Sequence, residues 1–126
     1  MKESIRQELL SHVIDTIKDK QLTDFDELHY YAFNEDYYII YHSRAIAWLK
    51  KHDIDSFEAI AEVIEWESEV FGEVTLQPED ITPEKIVNLY VYIKGEELLS
   101  DYDLTLDAAS LLATLNDDLN EVQGND

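Results

Sequence analysis

Residues 55–72, DSFEAIAEVIEWESEVFG, decide how the chain folds. Ile60, Val63, Ile64 and Phe71 recur at the three-, four- and seven-residue spacing of an apolar helix face. Asp55, followed by Glu58, has the form of an N-terminal cap, and Gly72 is a stop signal, so a helix reaching Phe71 is expected. On the same helix Glu58, Glu62, Glu65 and Glu69 fall at i, i+4, i+7 and i+11 and share one narrow stripe. Successive members climb roughly 4.5–6 Å along the axis. That is of the same order as the roughly 3.4 Å between charges on one nucleic-acid strand. Glu67 falls instead among the apolar residues, which calls for a face only partly buried, a partner at that point, or a catalytic acid of raised pKa.

Outward from this segment the helical spacing continues. Ile5, Leu9, Val13 and Ile17 predict a helix from about Glu3 to Lys20. Asp24 with Glu27 resembles a capping box opening a short helix through Phe33, and a third helix is expected from about Tyr37 to Lys51, with YYIIY at its start also compatible with a strand. Thr82-Pro83 starts a helix toward Leu99 that Gly95 interrupts or ends, and Leu106 to Leu119 reads as the last, with Ala108, Leu111, Leu112 and Leu115 inward. Three Gly and two Pro leave little material for hairpins. The expected architecture is all-α: one compact domain over residues 1–121 with five to six helices, room for a short extended segment within GEVTLQPEDI, and a frayed tail at 122–126.

The charge is uneven. Residues 1–51 hold nine acidic and seven basic side chains, whereas residues 52–126 hold twenty acidic ones against Lys85 and Lys94, so nearly all of the net charge of −20 lies in the second part. A field of that sign repels nucleic acid and anionic membranes and favours encounter with basic surfaces; a solubility coat is the plainer alternative. No apolar run approaches a membrane span, and MKESIRQELL lacks a signal-peptide hydrophobic region, so a cytoplasmic location is expected. Without Cys there are no disulfides or thiolate sites. His12, His29, His42 and His52 show no zinc spacing, and the series Asp101, Asp103, Thr105, Asp107 departs from a calcium loop at Leu106 and Leu112. No cofactor or metal is expected. The aromatic group Tyr30, Tyr31, Tyr37, Tyr38, Tyr41 and Trp48 reads first as core and second as a homodimer interface.

The stretch ELHYYAFNEDYYIIYHSRAIAWLKKHDIDSFEAI, with VFGEV and IVNLYVYIKGEELL after it, resembles a family of small acidic bacteriophage proteins over about residues 25–100. FNEDYYII and VYIKGEEL carry the more specific part. A looser similarity links the chain to the Ocr-type anti-restriction DNA mimics of phages: Asp26-Glu27-Leu28-His29, the paired tyrosines, Ile54-Asp55, the Pro-led helix from Pro83, and DLTLDAASLLATLNDDLNEV. These resemblances imply phage origin, action in the cytoplasm of an infected bacterial host, a dimeric helical fold, and occupation of the DNA groove of a restriction or defence complex. The expectation is then a non-catalytic decoy for a basic DNA-binding host protein, contacting neither nucleic acid nor membrane. Its row of Glu58, Glu62, Glu65 and Glu69 would be extended by Glu73, Glu79, Asp80, Glu84, Glu96, Glu97, Asp101 and Asp103. The alternatives are an adaptor binding through its aromatic-apolar surface, with acidity serving solubility, and a small enzyme built on Glu67.

Overall fold

The segment from Pro83 to Ser100 has apolar residues on every side, and a helix without a polar face must be covered all round. The computed structural model, which describes residues 2–22, 25–33, 40–103 and 105–122 and their side chains except those of Phe25, Asp26, His29, Tyr30 and Val122, places that helix at the centre. Six α-helices occur among the described residues: α1 (Glu3–Lys20), α2 (Phe25–Phe33), α3 (His42–Lys51), α4 (Ser56–Phe71), α5 (Pro83–Ser100) and α6 (Ala108–Val122). A single 3-10 turn spans Pro78–Asp80, and there is no strand among the described residues. α5 packs against α1, α2, α3 and α4, while α6 lies on α1. One continuous core runs through them, from Ile5, Leu9 and Val13 of α1 to Val87, Val91 and Leu98 of α5 and Leu115 of α6. Each such side chain contributes about 1.5–3 kcal/mol on leaving water.

Local chemistry explains most boundaries. Asp55 accepts the Phe57 N–H at 2.7 Å, and Gly72 ends α4 at φ 77°, a left-handed conformation that favours glycine. Thr82 Oγ1 accepts the Lys85 N–H, with Pro83 in the first turn. α6 begins at Ala108 rather than Leu106, because the Asp107 carboxylate accepts the Ser110 N–H at 2.8 Å and caps the helix there. The expected cap at Asp24 falls outside the described residues, as do residues 123–126 of the tail expected at 122–126, while Val122 closes α6.

Two expectations are corrected by contacts distant in sequence. α3 starts at His42 instead of near Tyr37: the Ile40 N–H donates to Asn88 Oδ1 at 2.8 Å and the Ile40 carbonyl accepts from Asn88 Nδ2 at 3.2 Å, so α5 holds this backbone out of the helix. Tyr41 is extended, and His42 N–H is capped by Glu84 at 3.1 Å. Gly95 neither interrupts nor ends α5. It sits inside the helix where α2 approaches, and a Cβ there would lie 2.5 Å from Cγ of Phe33.

Trp48 takes the first of its two expected roles, in the core. Its side chain is buried, and its Nε1–H donates to Glu8 Oε2 at 2.6 Å, joining α3 to α1. Lys51 Nζ lies 3.0 Å from the other Glu8 oxygen, and His52 is buried beside them with Nδ1 2.9 Å from Ser4 Oγ. Burial pushes the Glu8 carboxyl up, but the hydrogen bonds from Trp48 and Lys51 outweigh it and leave the group below its ordinary value. Of the other aromatics, Tyr31 is half-buried under Lys20, Tyr41 is exposed, and the side chain of Tyr30 with all of Tyr37 and Tyr38 falls outside the described residues.

Candidate functional site

α4 has three faces. Ala59, Val63 and Glu67 point into the protein; Glu58, Glu62, Glu65 and Glu69 form a row about 100° around the helix from a third face made by Phe57, Ala61, Ile64, Ser68 and Phe71. Glu67 is 5% exposed, and its Oε2 accepts both the backbone N–H and the hydroxyl of Thr75 at 2.7 Å. It therefore needs neither a partner nor a partly open face: it anchors the chain just after Gly72. Those hydrogen bonds hold its carboxyl below the ordinary range, the opposite of a catalytic acid poised to donate.

The chain after Glu67 runs back alongside α4, so α4 and α5 point the same way. Ser56 and Ile60 share one pocket with Pro83 and Ile86, and Glu69 shares a second with Glu96 and Glu97. This second pocket is an open groove of about 390 Å³ walled by Glu62, Glu65 and Glu69 of α4 and by Glu96 and Glu97 of α5, with Trp66 and Ile93 beneath. Lys94 is the one cation among its described lining residues. It is nearly buried, 2.7 Å from Glu62 and 3.4 Å from Glu97. The sequence offered no sign of this pairing of Glu62 with Lys94. Five carboxylates against one lysine leave the groove strongly negative.

That field is felt underneath. Tyr90, beneath the groove with Lys94 Nζ 5.2 Å from its ring centroid, has its hydroxyl pushed up by burial and then by Glu62, Glu58 and Glu97. Tyr92 is pushed up to about 12 by burial and by its hydrogen bond to Glu96. Glu62 and Glu97 thus both reach the surroundings of Tyr90 from the two walls of the groove.

The remaining expected residues lie elsewhere. Glu73 is exposed beyond the end of α4, and Glu79 and Asp80 lie on the 3-10 turn, where Asp80 accepts the Gln77 N–H. Glu84 caps α3. Asp101 faces Arg6 at 3.8 Å, in a cluster where Tyr102 donates to Asp118, and Asp103 accepts from the Thr105 N–H and hydroxyl. The structure thus gathers Glu62, Glu65, Glu69, Glu96 and Glu97 around the groove, with Glu58 in line with the α4 row but not lining it, and leaves the other six elsewhere. No group of three or more His, Asp or Glu among the described residues is arranged to hold a metal ion, and no described helix is long and apolar enough to cross a membrane. The chain matches no protein-family model, no curated protein and no solved structure.

Proposed function

We propose that this chain is a phage-encoded decoy that occupies the basic DNA-binding groove of a host defence or restriction complex, acting stoichiometrically and without catalysis in the infected cell. The observation that supports the reading is the α4/α5 groove, in which carboxylates from two helices face outward from both walls around Lys94. A solubility coat has no need to concentrate one sign on two sides of a groove, where low-dielectric walls reinforce the field. The resemblance to phage acidic proteins and Ocr-type mimics supplies the biological setting. The test is capture from host lysate on immobilised protein, followed by elution with duplex DNA. DNA should release the captured complex, and Glu62→Gln/Glu65→Gln/Glu69→Gln protein should capture much less of it. Retention of the partner in the presence of excess DNA would contradict the reading.

A further inference from the structure

The third face of α4 plays no part in the carboxylate groove. Phe57 is 79% exposed, Phe71 58% and Ile64 37%, with small exposed Ala61 and Ser68 between them. At seven-residue spacing the three large side chains span roughly 21 Å of one helix edge. Isolated exposed apolar residues are ordinary, but a continuous row of them marks a binding edge.

Charge decides what fits there. Glu58 and Glu65 directly follow Phe57 and Ile64, and α4 carries no Lys or Arg. Two copies meeting antiparallel through this row would set the four-glutamate row of one against that of the other, adding repulsion between chains of net charge −20. A nucleic-acid backbone has no apolar counterpart to Phe57. A helix with an apolar stripe flanked by Lys or Arg matches both rows at once.

We propose that the Phe57–Ile64–Phe71 row, with Glu58 and Glu65 beside it, docks a basic amphipathic helix of the partner protein. Its apolar stripe covers the row and its cations meet the carboxylates. This rests on the reading of α4 and α5 as a surface for a basic partner, and it names the element of the partner that is bound.

The probe is a synthetic helical Leu/Lys peptide with Leu at a and d positions, compared with a scrambled peptide of the same composition. The ordered peptide should bind about tenfold more tightly. Phe57→Gln/Ile64→Gln protein, which leaves Phe71 in place on Trp66, should bind both peptides equally, with the scrambled-peptide affinity unchanged and helix content intact by circular dichroism. Equal binding of the two peptides to the wild type, or a preference that survives the double substitution, overturns the docking row while leaving the decoy reading standing. Binding of neither peptide overturns both. A wild-type dimer that the same substitutions convert to monomer in sedimentation assigns the row to a second copy and also overturns the proposal.

Discussion

Replacing Gly95 by Ala tests the packing at the centre of the fold. In an open helix this change stabilises by about 1 kcal/mol, because glycine is the more flexible residue in the unfolded chain. Here the new methyl would lie 2.5–2.7 Å from Cγ, Cδ1 and Cδ2 of Phe33. Carbon atoms in contact prefer about 3.5–4 Å, so the ring or the helix must retreat by about 1 Å. Phe33 is 1% exposed and has His12 of α1 at 5.8 Å between ring centroids, which closes an easy route of retreat. Overpacking of this kind costs about 1–3 kcal/mol, and three simultaneous clashes place it at the upper end. After the helix gain of about 1 kcal/mol, a net loss of about 2 kcal/mol is expected. For a chain of this length that lowers Tm by roughly 6–10 °C. Thermal and urea unfolding followed by far-ultraviolet circular dichroism measure the difference. In a Phe33→Leu background the added cost of Gly95→Ala should shrink below about 1 kcal/mol, since the clashing ring is gone. A Gly95→Ala protein as stable as the wild type would refute the close approach of α2 to α5.

Three further outcomes follow from individual side chains. Glu67→Ala should cost about 1–3 kcal/mol by removing the two hydrogen bonds that Thr75 donates to the carboxylate; because the native carboxyl is held below its ordinary value of 4.5, the stability difference between wild type and Glu67→Gln should be present at neutral pH and vanish as pH falls through the depressed folded value. Burial, opposed by Glu8, holds His52 below its ordinary 6.5, so its contribution is complete above that value and is lost as pH falls. Urea titrations should show wild type losing stability relative to His52→Gln as pH falls through and below that ordinary value. Lys94→Met should move two properties in opposite directions. Stability should fall by about 1–2 kcal/mol, discounted because the Glu62 side chain is 33% exposed, while the more negative groove should bind a basic partner severalfold more tightly at low salt. Weaker binding instead would place Lys94 in the contact.

The elements readable from sequence were those whose signals are local. α1 and α4 lie where their spacing, the Asp55 cap and the Gly72 stop place them, since each depends on residues within a turn or two. The departures come from partners far along the chain. Asn88 delays the start of α3 from 48 residues away, and Phe33 makes a helix interior out of a glycine that locally reads as a break. α4 carries two apolar rows, and spacing alone does not say which one faces the core. Ile64 and Phe71, read on one apolar face with Val63, belong to the exposed row, and Ala59, Val63 and Glu67 take the interior. Half of the candidate site was legible: the α4 glutamate stripe needs only helical periodicity. Glu96 and Glu97 were expected as an extension of that row, but their place as an opposite wall, with Lys94 between, comes from the parallel run of α4 and α5, which depends on the path of the intervening segment.

The most direct test of the central claim is the affinity for a captured DNA-binding complex measured across salt concentration. If the groove of five carboxylates and one lysine makes the contact, affinity should fall roughly 10- to 100-fold between about 50 and 200 mM salt. The slope should flatten in Glu62→Gln/Glu65→Gln/Glu69→Gln protein. Affinity that stays constant over that range, or a slope unchanged by the three substitutions, would contradict the account.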